Sequence, residues 1–382
     1  MSLERLAYVL LTASLGMTLF NLLTAQVLFG LAALLWVWLA RADGRRPEVP
    51  PFFWPLAAYA ALTLASAAAS PDPRASFIDS RQLVLFLVVP MVVRLARGAR
   101  AMTTLDVIMA LGAAGAFVGV VEYTIFGFDN LNRRPMGSLS HYMTYSGLIM
   151  LVLAAAVARL LFYPAQRVWP AVAIPALAVA LGATQTRNAY LGAIAAIAGL
   201  LPLRQARLLL AVPVLIVLFV VGAPASIKQR AMSITDLHDD SNRDRLQMIV
   251  MGRDMVRDHP VFGVGPEMVG RVYARYLQPN PVHTYNPHLH NVPIQIAAER
   301  GLPALGAWLW FIAAAVWGLF REFRSGPAPA LAAAGLGAIL AMLVAGLFEY
   351  NFGDSEFLML FLALISLPYA ARGTAGAVAA PR

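Results

Sequence analysis

The sequence predicts an all-α fold: a polytopic membrane protein of about twelve transmembrane helices with one large outward loop. Hydrophobic residues make up 60% of the 382 and charged ones only 13%, with a mean hydropathy of +0.68, a balance that a water-soluble fold of this length does not tolerate. Apolar runs approaching the roughly 20 helical residues that cross a hydrocarbon core recur along the chain, and none alternates in the manner of an outer-membrane barrel. Arginines fall in every second gap between those runs, as the positive-inside rule requires of cytoplasmic loops.

The first run, Leu6–Phe20, leads into the second, Leu23–Ala40, without a small-residue cleavage site, so it reads as a retained helix and not a signal peptide. Arg41, Arg45 and Arg46 mark the first cytoplasmic gap. Phe52–Ala69 and Leu83–Ala96 follow, then Arg94, Arg97 and Arg100. Leu105–Phe126 and Met143–Phe162 lead to Arg159 and Arg167, and Val168–Ala183 and Ala189–Leu201 to Arg204 and Arg207. Leu208–Ala223 is the ninth run. After a long polar stretch come Val292–Phe320, with Arg321 and Arg324 behind it, Ala328–Phe348, and Phe357–Ala370, with Arg372 and Arg382 beyond. Both termini are then cytoplasmic. Gly301 and Pro303 near the start of the tenth run predict a tilt or break. Small residues crowd Leu111–Ala116 and Ala332–Gly337, which predicts close helix approach.

The chain divides into helices one to nine (1–224), a loop subdomain (225–291), and helices ten to twelve with a cytoplasmic tail (292–382). At roughly 65 residues the loop is far longer than an ordinary connection, which suggests function. Within it Asp244–Asp258 reads as an amphipathic helix with Leu246, Ile249, Val250 and Val256 as its apolar positions. Two lesser outward loops carry Arg74, Arg81, Arg133 and Arg134. Cysteine is absent, so disulfides, thiolate metal sites and a cysteine nucleophile are excluded, and the loop must hold its shape by packing. The net charge of +9 does not imply nucleic acid, because the positions of the arginines account for it.

Three polar groups carry candidate chemistry. Arg187 lies in Thr184-Gln-Thr-Arg-Asn-Ala-Tyr-Leu191, a polar break between short apolar helices. It reads either as an interfacial arginine, snorkelling or paired with a buried carboxylate, or as a phosphate ligand, since the planar guanidinium matches phosphate oxygens. Arg243 and Arg245 open the loop helix, where the helix N-terminus adds its own positive end; the alternative is a solvated face offset by Asp239, Asp240 and Asp244. The cluster His283-Thr-Tyr-Asn-Pro-His-Leu-His-Asn291 enters the tenth helix, with Asn291 placed to cap it. Histidine suits proton removal near neutral pH, whereas His283 and His288 also fit a structural interfacial role. No Asp or Glu lies among the three histidines and their spacing fits no standard zinc site, so no metal is expected. Gly263-Val-Gly265 reads as a tight turn. There is no Walker loop, dinucleotide fingerprint or Gly-x-Ser-x-Gly elbow. A transporter is the rival class, but the polar candidates gather at the outer face and no repeated halves are visible.

The chain resembles the O-antigen ligase and polymerase superfamily in Arg245 followed by Asp258-His-Pro-Val-Phe-Gly-Val-Gly-Pro266, in His290-Asn-Val-Pro-Ile-Gln-Ile-Ala-Ala-Glu-Arg-Gly-Leu-Pro-Ala-Leu-Gly306, and in the Thr186-Arg-Asn-Ala-Tyr190 break. It departs from the usual pattern at Ile249, where an aromatic commonly follows the loop arginine by four residues; the spacing to His259-Pro260 favours Arg245 over Arg243. The resemblance implies a GT-C-type glycosyltransferase of the bacterial inner membrane, with its site facing the periplasm and no cofactor. Its donor would be a glycan on undecaprenyl diphosphate, and its acceptor lipid A–core for a ligase or another lipid-linked repeat for a polymerase. The ligase fits the loop placement better. His290 would be the base, Arg187 and Arg245 the diphosphate ligands, with Arg243, His288, Asn291 and Tyr285 as further substrate contacts. Glu299, Glu349, Asp354 and Glu356 lie near the bundle rim, as partners of the site or as helix caps.

Overall fold

The computed structural model describes residues 2–44 and 47–372; Arg45, Arg46, Arg382 and the tail expected beyond 372 lie outside the described residues. Among the described residues all regular secondary structure is helical. Each of the twelve apolar runs forms a helix: Leu3–Met17, Leu22–Asp43, Phe53–Ala69, Val88–Leu95, Ala99–Thr124, Tyr142–Phe162, Val168–Ala183, Arg187–Arg204, Ala211–Gly222, Val292–Ser325, Pro329–Ala345 and Ser355–Ala371. Five continuous helical stretches, Leu22–Asp43, Pro73–Leu95, Ala99–Thr124, Tyr142–Phe162 and Val292–Ser325, are long and apolar enough to cross a bilayer, and shorter apolar helices stand among them. The chain is a multi-pass membrane protein.

Burial sorts these helices into layers. Tyr142–Phe162, Pro329–Ala345 and Ser355–Ala371 are buried on almost every face, as helices apolar all round must be when they form the centre of a bundle. Leu22–Asp43 and Ala211–Gly222 turn most of their apolar side chains outward, where lipid is their solvent. Small residues bring the central helices together. A side chain at Gly112 would strike Val152, and one at Gly192 would strike Met150 and the carbonyl of Ala341, so the tight packing expected of the glycine-rich runs is present.

The 34-residue Val292–Ser325 helix breaks at Gly301 (φ 81°, ψ 170°), where the sequence placed a break. Its cause lies in the partner strand of chain. The turn 260–265 lies along the break and bonds to it: Leu302 N–H donates to the Pro260 carbonyl (2.8 Å), Val264 N–H to Ala298 (2.8 Å) and Gly265 N–H to Glu299 (2.9 Å). Ser66 Oγ lies within hydrogen-bond distance of both the Phe262 (2.6 Å) and Glu299 (2.9 Å) carbonyls, which share its one proton, and this ties a third helix to the same clasp. Gly263 and Gly301 both hold positive φ, and a Cβ on either would meet the backbone opposite. The glycine-rich turn is therefore a structural clasp, as expected of a tight turn.

The long loop has a core of its own, built from Met248, Met251, Met255, Val264, Met268, Val269, Tyr273, Tyr276, Leu289 and Ala298. Its helix runs Asp240–Asp258, four residues earlier than expected, because Asp239 caps it through Asn242 N–H. The buried stripe also differs from expectation. Asp244, Met248, Met251 and Met255 face inward at helical spacing, while Leu246 and Ile249 are exposed. Methionine filled the irregular space that branched side chains were expected to fill.

Candidate functional site

His290 is positioned by strain and by a cap. Asn291 accepts a hydrogen bond from Ile294 N–H (3.0 Å), starting the Val292–Ser325 helix, and donates from Nδ2 to the Leu347 carbonyl (3.0 Å). Both ends of the Asn291 amide are thus used within the protein. His290, one residue before the cap, is held at φ 48°, a left-handed conformation that costs a β-carbon-bearing residue on the order of 1 kcal/mol or more. Gln185 (φ 52°), beside Arg187, and Glu267 (φ 63°) share that strain.

His290 Nδ1 lies 2.9 Å from Glu349 Oε2, and Asn286 Nδ2 donates to His290 Nε2 at 3.2 Å. The consistent tautomer carries its proton on Nδ1, donated to Glu349, which leaves the Nε2 lone pair as the basic position. Burial alone would raise the Glu349 carboxyl. The charge and hydrogen bond of His290, with His288 and Arg245 behind them, outweigh it and hold the carboxyl at about 2. His288 packs edge-on against His290, ring centroids 4.2 Å apart, and burial pushes its imidazole down to about 4 despite Glu349 nearby.

Glu349 also changes the metal argument. It brings a carboxylate from far along the chain to His288 and His290, and the three offer ligand atoms within 4.8 Å of one another. This is the donor set of a divalent transition-metal site. One of its atoms is engaged in the His290–Glu349 hydrogen bond, which a metal would have to replace.

Arginines converge beside this pair. Arg245 donates from Nε to the Phe348 carbonyl (3.0 Å), next to Glu349, and from Nη1 to Ser241 Oγ (2.5 Å). Arg187, 7% exposed, donates to the Ser233 carbonyl (2.8 Å), to Ser233 Oγ (2.9 Å) and to Asp239 (2.9 Å). Arg230 pairs with the other oxygen of Asp239 at 3.4 Å. Burial lowers the guanidinium pKa values of Arg134, Arg230 and Arg245, Arg230 to about 10, and the charge of Arg187 lowers all three further. Four guanidinium groups therefore sense one another, with Asp239 as the one carboxylate bridging two of them.

A cavity of about 420 Å³ is walled by the histidines, lined among others by Asp79, His141, Thr144, Glu267, Asn286, His288, His290, Glu299, Glu349, Asn351 and Asp354. A smaller cavity of about 280 Å³ adjoins the arginines, lined by Asn130, Gln185, Gln229, Arg230, Ser233 and Asp239 among others.

The structure thus brings Arg187, Arg245, His288 and His290 together, and leaves Arg243 and Tyr285 out. Arg243 is exposed and bonded to Asp240 one turn back (3.1 Å), the solvated-face alternative. Tyr285 is 65% exposed and packs near Tyr273. Of the rim carboxylates, Glu349 orients His290, Asp354 accepts from Thr144 Oγ1 (2.6 Å), and Glu299 pairs with Arg300 (2.5 Å) while accepting from Glu267 N–H (3.0 Å). Glu356 is buried in the first turn of the last helix. Arg134, Arg230, Asn286 and Glu267 were not foreseen. The first two lie in polar gaps between apolar runs, and that placement was the signal available.

Residues 171–309 match a family model described as O-Antigen ligase. The stretch holds Arg187, Arg230, Arg245, His290 and the glycine clasp, whereas Arg134, Glu349 and Asp354 lie outside it. No curated protein matches the chain.

Proposed function

We propose that this chain, whose residues 171–309 match the O-Antigen ligase family model, is a GT-C-type membrane glycosyltransferase, an O-antigen ligase that moves a glycan from undecaprenyl diphosphate to lipid A–core at the periplasmic face of the inner membrane. One observation carries the reading: a carboxylate-oriented imidazole, His290–Glu349, beside a cluster of arginines that share too few counter-charges. That pairing suits glycosyl transfer from a diphosphate.

In the proposed reaction the acceptor hydroxyl displaces Asn286 from His290 Nε2 and gives up its proton there as its oxygen attacks the anomeric carbon. The bond from that carbon to the phosphate oxygen breaks with its electrons, and the configuration inverts. Glu349 stabilises the imidazolium that forms. Charge developing on the departing diphosphate is met by Arg245 and Arg187, with Arg134 and Arg230 adding to the field. Asp239 sits where the helix N-terminus and two arginines meet, so an incoming diphosphate competes with it for the same donors. Guanidinium groups supply the stabilisation that a metal ion supplies elsewhere, and the reaction is metal-independent.

The test is transfer by the purified chain in proteoliposomes containing lipid-linked glycan and lipid A–core. Glycan attached to lipid A–core, undiminished by a chelator, is expected. Extension of the lipid-linked glycan instead would make the chain a polymerase, and loss of transfer on chelation would restore His288, His290 and Glu349 to metal binding.

A further inference from the structure

Resting on that reading, we infer that the 420 Å³ cavity is the acceptor-sugar pocket and that it admits a neutral or amine-bearing sugar while rejecting one that carries phosphate or carboxylate. The cavity is walled by His290, so a hydroxyl inside it can reach the base. Its volume lies in the range of small-molecule sites, and its lining of carboxylates, amides, imidazoles and a hydroxyl offers mainly hydrogen-bond acceptors, which is what a ring of sugar hydroxyls requires.

Charge decides the class of sugar. Five carboxylates line the cavity, Asp79, Glu267, Glu299, Glu349 and Asp354, and no Lys or Arg does. Arg300, behind the wall, balances Glu299 (2.5 Å) and reaches Asp79 (3.5 Å), and His290 balances Glu349. Glu267 and Asp354 form no salt bridge among the described residues: Glu267 feels Arg271 and Arg300 only at a distance, and Asp354 is bonded by the hydroxyl of Thr144 and by the neighbouring Glu356 carboxyl. The guanidinium cluster, none of whose members lines this cavity, draws the anionic donor to itself, and these two carboxylates repel anions from the cavity, so the two substrates are sorted by charge around one base.

The experiment presents the full chain, in proteoliposomes with lipid-linked glycan, with lipid A–core acceptors that differ only at the terminal hexose: unmodified, with an amine in place of a hydroxyl, or with a phosphate monoester. Transfer to the first two should exceed transfer to the third by at least about tenfold in kcat/KM, the factor set by roughly one unfavourable charge contact. Glu267→Gln and Asp354→Asn, singly and together, should narrow that ratio; because it is measured within one preparation, a loss of folded protein cancels. Equal use of the phosphorylated acceptor, or a ratio unmoved by both variants, would overturn the inference while leaving transfer itself standing. Absence of transfer to every acceptor would instead overturn the proposed function, and this pocket assignment with it.

Discussion

Arg187 forms three hydrogen bonds from two nitrogens, and each bond uses the planar fork of the guanidinium. A lysine carries one compact charge and cannot span Ser233 and Asp239 together, so Arg187→Lys should lower kcat/KM by about a hundredfold while the protein remains inserted and monodisperse. Near-wild-type turnover would return Arg187 to a purely structural pairing with Asp239. Glu349 supports a different measurement. Its carboxyl is held at about 2, below the ordinary carboxylate value of about 4.3, so its contribution to stability is complete above that value and is lost as pH falls through about 2. Wild type should therefore lose thermal midpoint more steeply than Glu349→Gln between about pH 4.5 and 2, by the equivalent of about 3 kcal/mol at most. Parallel melting curves over that range would deny the pairing. At neutral pH the same variant should retain its fold and lose most transfer, because the imidazole keeps its place but loses the partner that selects its tautomer. The histidine was legible as a candidate base from residue type and position. Its partner was not, because Glu349 lies 59 residues away and only folding brings them together.

At the scale of elements, the break in the Val292–Ser325 helix connects sequence motif to site. The turn 260–265 and the residues 298–302 bond to each other backbone to backbone, and this sets the angle at which the helix bearing Asn291 leaves the loop. Gly301→Ala would place a Cβ against the Val261 carbonyl at a positive φ, and should cost about 2–4 kcal/mol, read as a lowered melting midpoint together with reduced transfer. An unchanged midpoint would mean that the clasp is not needed to seat the loop. Gly301 and Pro303 announced a break in the sequence, but its partner in the turn was invisible there, since backbone hydrogen bonds leave no mark on residue type. The loop helix shows the opposite limit. Its apolar residues Leu246 and Ile249 suggested one face, yet Met248, Met251 and Met255 are the buried stripe. An equally good periodic match exists for both faces, and only the position of the neighbouring Val264, Met268 and Leu289 decides between them.

For the molecule as a whole, the arginine-bearing gaps and the long loop should lie on opposite sides of the membrane, and the absence of cysteine makes this directly measurable. Single cysteines placed at Arg41 and Arg321, both exposed at or near helix ends, should react with a membrane-impermeant maleimide only after the bilayer is opened. Cysteines at Leu131 and at His238, which is fully exposed, should react in intact spheroplasts. Loop residue His238 and gap residue Arg321 are separated by only one long apolar helix, so they test the parity of the final third of the chain in isolation. If those two label from the same side, the Val292–Ser325 helix does not cross and the twelve-crossing arrangement fails. Labelling from opposite sides with Leu131 and His238 together would instead place the Arg134 loop and the long loop on one face. That is the condition under which four guanidinium groups from three segments of the chain can act on a single substrate.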